Sequence, residues 1–289
     1  MIKTIFVPVM GDAADKAKLR AAIAAARLFD AHIDGLHVRA DPAEMFASAA
    51  YADIGSVLAI PELTQALAKE DEARSQRARR VFDEICQIEK IQIVEAPQER
   101  SCVSAAWHEV VGDPIEQAIW RGRFRDLVVL STSRHHRGPD SETIGAMLMQ
   151  IGRPVLLASA KGSRNLVGTV VVAWKDSPES ARAVTAAMPF LMRARQIVVL
   201  AVDEHGRSVT QSLDKLAAQL RWHGLSPKSQ QIEARHHSGP EALLLGVKDL
   251  HADLLVMGGY GHSRTRELVL GGFTRHILKQ AELSVLLCH

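Results

Sequence analysis

Leu254-Leu255-Val256-Met257-Gly258-Gly259-Tyr260-Gly261-His262-Ser263-Arg264 runs on to Leu270-Gly271-Gly272-Phe273-Thr274-Arg275-His276-Ile277-Leu278. A short apolar run ends in a glycine cluster, and a second glycine pair then opens a helical pattern. The first part reads as a buried strand delivering backbone to a turn. The second reads as a helix N-terminus arriving at the same place. Glycine lets N–H groups approach a ligand without Cβ obstruction, and helix starts attract anions. The same glycines also suit a tight strand-to-helix turn that holds no ligand. The spacing, Gly258-x2-Gly261-x9-Gly271, extends over fourteen residues.

Outward from this stretch the chain alternates short apolar runs with helix-length segments. Thr169–Trp174, Gln196–Val202, Ser229–Ala234, Leu254–Met257 and Leu283–Leu287 read as strands. Helices open at Ser177-Pro178-Glu179, across Val209–His223 and near Pro240-Glu241. The same order stands earlier: strands at Ile5–Val9, Ile33–Val38, Val103–Glu109, Asp126–Leu130 and Arg153–Ala158, with a helix over Lys16–Phe29 and a long amphipathic one over 61–90. Asp113-Pro114-Ile115-Glu116 is a helix start, with Asp as N-cap, Pro at the first helical position and Glu three residues past the cap. Each half reads βαβαβαβαβ, which argues for parallel sheet with crossover helices.

Offsets measure the repeat. Val7 pairs with Val172 (165 apart), Val38 with Val202 (164), Pro114 with Pro240 (126), Leu127 with Leu254 (127) and Val155 with Val285 (130). The fall from 164 to 126 puts about 38 extra residues between the second and third strands of the first half, mostly around 41–62, with Met45, Phe46, Tyr51 and Ile60. The later rise by three makes the first half shorter where the second keeps its glycine loop. A polar linker, Ser159–Asn165, separates domains expected at 1–160 and 166–289.

Formal net charge is +2, from 35 basic and 33 acidic residues, with 47% hydrophobic and 24% charged. That balance gives no footprint for nucleic acid or an anionic membrane. Arg74–Arg80 is offset by Glu70, Asp71, Glu72, Asp83 and Glu84 and reads as a solvated helix face. No apolar run is long enough to span a bilayer, and Met1–Val9 reads as a strand, not a signal peptide. Three scattered cysteines, Cys86, Cys102 and Cys288, argue against a disulfide framework and for a reducing compartment, with cytoplasm the expectation. The histidine pairs His135-His136 and His236-His237 lack accompanying metal-ligand spacing. Cys288 is expected near the surface with no catalytic partner. Trp107, Trp120, Trp174 and Trp222 are expected in the core or between the halves.

With its glycine loop, Val171-Val172-Ala173-Trp174-Lys175-Asp176-Ser177-Pro178-Glu179-Ser180 and Leu283–Leu287, the chain resembles a tandem universal stress protein over nearly its whole length. The resemblance implies an α/β fold of two open, mostly parallel five-stranded sheets with helices on both faces. It implies an adenine nucleotide, ATP with or without Mg2+, at the C-terminal strand ends, and last strands that meet as in an intramolecular dimer. Pairing of two chains would be a further step. Gly258, Gly261, Gly271 and Gly272 would supply backbone to the phosphates, with Phe273 and Thr274 on the first turn and Thr274 offering a hydroxyl. His262, Ser263 and Arg264 would reach phosphate from the loop, and backbone at Ala173 and Val202 would hold the adenine.

Two departures stand out. The usual Asp after the first strand is Lys175, a donor only, with Asp176 one residue later as either its replacement or a helix N-cap. Gly272 replaces a common hydroxyl residue. In the first half Met10 fills the Asp slot, Ser131–Arg134 replaces the first glycines, and Ser141-Glu142 stands where Gly271-Gly272 would be, so no nucleotide is expected there. No general base accompanies the glycine loop, so any ATP hydrolysis would be slow and the role that of a stress sensor or regulator. Asp203 and Glu204 read as solvated loop, with magnesium binding the sharper alternative. The competing function is a nucleotide-independent interaction module using 41–62. An adenylate-forming enzyme lacks its expected first-strand motif.

Overall fold

The computed structural model describes residues 1–41, 43, 60–96, 102–131, 141–160, 165–203, 210–234, 236–259 and 272–289. The first half runs β1 (Thr4–Pro8), α1 (Asp15–Phe29), β2 (His32–Arg39), α2 (Ile60–Ile88), β3 (Gln92–Ile93), β4 (Ser104–Val111), α3 (Pro114–Gly122), β5 (Leu127–Leu130), α4 (Ser141–Ile151) and β6 (Val155–Leu157). The second runs β7 (Thr169–Ala173), α5 (Pro178–Leu191), β8 (Gln196–Asp203), α6 (Thr210–Trp222), β9 (Lys228–Glu233), α7 (Gly239–Asp249), β10 (Leu254–Gly258), α8 (Gly272–Gln280) and β11 (Ser284–Cys288).

Central strands such as β5 are buried at every residue because helices cover both faces, which is why they read as unbroken apolar runs and not as alternation. Within β5, Leu127 and Val129 belong to the apolar layer on the side of α1, α2, α5 and α6, whereas Val128 and Leu130 belong to the layer on the side of α3, α4, α7 and α8. The large helix residues Leu19, Phe82, Phe190 and Leu216 fill the first layer; Ile119, Ile144, Leu243 and Ile277 fill the second. Phe29 of α1 meets Phe190 of α5 edge-to-face at 5.0 Å, so the first layer is continuous across the halves.

The strands form one sheet of eleven, ordered β3-β4-β2-β1-β5-β6-β11-β10-β7-β8-β9. The expected pair of five-stranded sheets is therefore corrected in two respects. The last strands do meet, and β6 pairs antiparallel with β11 (Leu157 with Val285, Leu156 with Leu286, Val155 with Leu287), which fuses the two sheets. The other described pairings are parallel. The extra strand, β3, adds two exposed residues to the β4 edge; a single apolar residue beside a long helix carries no strand periodicity. The order β4-β2-β1-β5-β6 recurs as β9-β8-β7-β10-β11.

The repeat extends to polar groups. Asp126 Oδ2 accepts from Lys3 N at 2.8 Å and Thr4 N at 3.0 Å, and its counterpart Asp253 accepts from Thr169 N at 2.7 Å. Each carboxylate satisfies the N–H groups where its half's first strand begins. Asp113 caps α3 as expected, accepting from Ile115 N at 2.9 Å and Glu116 N at 2.7 Å. The expectation for the tryptophans fails at two positions: Trp222 is 91% exposed and Trp120 55%, each at a helix end where one face has no covering element among the described residues. The enlarged stretch 41–62 lies largely outside the described residues.

Candidate functional site

Chain topology creates a crevice in the second half. From β7 the chain crosses to β8 and β9 on one side; it then returns to lay β10 on the other. In open α/β sheets, ligands sit outside the carboxyl ends of strands where the winding reverses. Here that place lies beyond Ala173 and Gly258, the last residues of adjacent strands β7 and β10. The α5 start borders it, and α8 begins nearby in chain order at Gly272.

Ser177 opens α5, accepting from Ser180 N at 3.3 Å, with Pro178 at the first helical position. This removes the N-cap reading of Asp176: serine in extended backbone caps the helix, and Asp176 and Lys175 stand exposed on the turn before it. Trp174 donates its backbone N–H to Leu200 O at 2.8 Å, and its indole Nε1 is buried without a partner among the described residues. Ala173 and Val202 are half-buried at the ends of their strands. Asp203 accepts from Gln231 at 3.2 Å; Glu204 lies outside the described residues.

The described glycines separate by what surrounds them. A Cβ at Gly258 would lie 2.6 Å from Ser180 N and 2.7 Å from the Glu179 carbonyl carbon, so packing against the α5 backbone requires glycine there. A Cβ at Gly259 would lie 2.8 Å from Leu148 Cδ2, a side chain of the first half. At Gly272 nothing among the described residues lies within 4 Å. Gly272 is exposed and stands at the N-terminus of α8. Phe273 packs on the core and Thr274 is 4% exposed on the same turn. Gly261, His262, Ser263, Arg264 and Gly271 lie outside the described residues.

Glu179 and His289 were not singled out by sequence. Burial raises the Glu179 carboxyl, but its own backbone N–H, Ser177, Arg182 and His289 together hold it below the ordinary range. Its Oε2 is buried without a partner among the described residues. His289 Nδ1 donates to Gly259 O at 3.3 Å, so the last residue braces the glycine turn. A Glu in a helix's first turn and a terminal His carry no sequence signal beyond capping.

The equivalent place in the first half is filled from within. Asp15, fully buried, accepts from Met10 N at 3.0 Å, Gly11 N at 2.7 Å and Asp12 N at 3.0 Å. Lys18, 3% exposed, pairs with Asp15 at 2.8 Å and donates to Pro8 O at 2.7 Å. A carboxylate of the chain thus occupies the N–H groups beyond β1. The residues 165 positions later are Ser180 and Ala183, which leave the second crevice without this pair. Residues 132–140, the shortened loop, are not among those described.

Cys288 is corrected: it is 6% exposed, and burial pushes its thiol up to about 12, as burial pushes Cys86 to about 11. Cys102 is exposed. A thiol reagent at pH 8 is therefore expected to modify one cysteine per folded chain quickly, Cys102, and the other two only on unfolding. Fast modification of Cys288 in the folded protein would contradict its burial. No group of three His, Cys, Asp or Glu among the described residues could hold a metal ion, and His135 and His136 fall outside them. A groove of 730 Å³ between α7 and α8, lined by His237, Leu244, Lys248, His251 and His276, lies apart from the crevice. None of the described helices is long and apolar enough to cross a membrane.

Fold and site define the class as a doubly wound α/β protein with its crevice at a switch point in the second half. The model of the Universal stress protein family matches residues 167–289. Among solved structures, a universal stress protein from Archaeoglobus fulgidus is similar at 16% identity and TM-score 0.67, covering 99% of this chain and 97% of that one. A protein of unknown function from Pseudomonas aeruginosa is similar at 14% identity and TM-score 0.57, covering 99% and 92%. No curated protein matches. Residues 167–289 are thus similar to the Universal stress protein family, and the whole length of the chain has the fold of these solved structures.

Proposed function

We propose that the protein binds one adenine nucleotide, ATP, in the crevice beyond β7 and β10, and acts as a stress-response sensor or regulator without appreciable turnover. The observation that carries this reading is the contrast between the two halves. The first-half crevice is closed by Asp15 and Lys18; the second has Ser180 and Ala183 at those positions and a helix that starts at Gly272, with no atom of the described residues within 4 Å of where a Cβ would lie. Units 1–160 and 166–289 act as the two domains, the first a scaffold.

The residues at the second crevice fit the ligand. An N-terminal helix turn whose first residue has no Cβ suits a phosphate, and the exposed Lys175 adds positive charge on the turn after β7. Asp176, released from capping by Ser177, supplies the acceptor that Lys175 cannot, toward the ribose or the adenine amino group. Mg2+ would arrive on the phosphates, since it is held through one or two carboxylates with phosphate and water.

Calorimetric titration with ATP tests this. Asp176→Asn is expected to lower affinity about tenfold, from loss of a charged hydrogen bond of roughly 1.5 kcal/mol. The thermal midpoint without ligand should be unchanged, because Ser177 holds the helix. An Asp176→Asn protein that binds ATP as the native one does would remove Asp176 from the site. A native protein that ignores millimolar ATP would leave the interaction-module reading, with the groove between α7 and α8 as the next surface to probe.

A further inference from the structure

The geometry points to Leu148, a residue of the first half, as a positioning residue of the second-half nucleotide site. The proposal rests on the reading above and adds that the site is incomplete without the other half. Gly258 ends β10 and Gly259 follows it: the first is pressed against the α5 backbone, the second against Leu148. Leu148 is 1% exposed, and a Cβ at Gly259 would come within 2.8 Å of its Cδ2. The turn is further tied by Gly259 N–H to Cys288 O at 2.7 Å and by His289 to Gly259 O.

The helix that carries Leu148, α4, also packs on α8, the helix that opens at Gly272. One element of the first half therefore supports both the turn at Gly259 and the helix that follows the glycine stretch. That element leads directly into β6, whose antiparallel pairing with β11 fuses the sheets. Close packing makes such a support discrete: a shift of α4 must move the turn, open a void or force an off-rotamer Leu148. Ligand occupancy and packing between the halves are then linked, and each favours the other by the same factor.

The contact can be broken from either side. Leu148→Ala is expected to weaken ATP binding about tenfold, within the range of coupling through packed side chains. Leu148→Met should restore it to within about twofold, since that swap nearly conserves volume. Leu36→Ala, a buried first-half change remote from the turn, serves as the control for lost stability. Gly259→Ala should also weaken binding, whereas Gly259→Ala with Leu148→Ala should bind better than Gly259→Ala alone, because the added methyl fills the vacated space.

Amide exchange at Gly259, whose N–H is held by Cys288 O, decides the matter without nucleotide. It should speed up in Leu148→Ala and stay slow in Leu36→Ala. Equal exchange and equal affinity in those two variants would overturn the proposal even if the native protein binds ATP. Faster exchange in Leu148→Ala with no ATP binding by the native protein would overturn the nucleotide reading and keep Leu148 as the support of the turn.

Discussion

Asp15→Ala is expected to cost about 3–5 kcal/mol of folding stability, the usual result of removing one partner of a buried ion pair. Lys18 would remain 3% exposed with only Pro8 O to hold its ammonium, and three N–H groups at 10–12 would lose their acceptor. Both effects act in the same direction, and stability totals of 5–15 kcal/mol are typical of whole domains. Adding Lys18→Met to Asp15→Ala should recover part of the loss, because an uncompensated buried charge is worse than none. Urea unfolding at neutral pH measures both variants. An Asp15→Ala protein within about 1 kcal/mol of the native one would mean that the pair is solvated in solution, and the account of the closed first crevice would fall with it.

The second large effect separates two glycines that look alike in sequence. Gly258→Ala places a methyl 2.6 Å from Ser180 N and 2.7 Å from the Glu179 carbonyl carbon. These are backbone atoms at the first turn of α5, so the clash is relieved only by moving a helix from its strand. The expected cost is about 1–3 kcal/mol, at the upper end of overpacking. Gly272→Glu meets nothing among the described residues within 4 Å and adds a carboxylate to a helix N-terminus. Its stability should be unchanged or higher by about 0.3–1 kcal/mol. Its nucleotide affinity should fall about 100-fold or more, because the carboxylate repels phosphate and competes for the same N–H groups, a loss of roughly 3 kcal/mol. A stable Gly258→Ala would contradict the packing of α5; a nucleotide-competent Gly272→Glu would contradict the phosphate seat.

Much of the fold was legible because burial and pattern coincide. Runs such as Leu127–Leu130 and Leu254–Met257 are apolar throughout because helices cover both faces, and the offsets near 127 align them and also Asp126 with Asp253. The meeting of β6 and β11 was legible only through family resemblance, since nothing in Val155–Leu157 specifies a partner. The strand at Gln92–Ile93 was not legible at all: it is short, exposed and held by one neighbour.

At the site, sequence singled out a turn and a helix start but not what surrounds each glycine. Gly258 and Gly259 answer to Ser180, Glu179 and Leu148, contacts set by tertiary packing up to 111 positions away in the chain (259 − 148). Asp176 read either as the replacement acceptor or as a helix N-cap; extended backbone and the hydrogen bond from Ser180 N make Ser177 the cap. Asp15 and Lys18 were not singled out by sequence, because acidic and basic residues in a first turn carry no mark of burial.

The central claim is a single adenine-nucleotide site per chain, in the second half. Its most direct test is the stoichiometry of bound nucleotide, from acid release and chromatography of freshly purified protein and from saturation with ATP and magnesium. One nucleotide per chain, lost in Gly272→Glu and retained in Asp15→Ala protein that remains folded, is the predicted result. Two per chain would contradict the closed first crevice, and none at millimolar ATP would contradict the site itself.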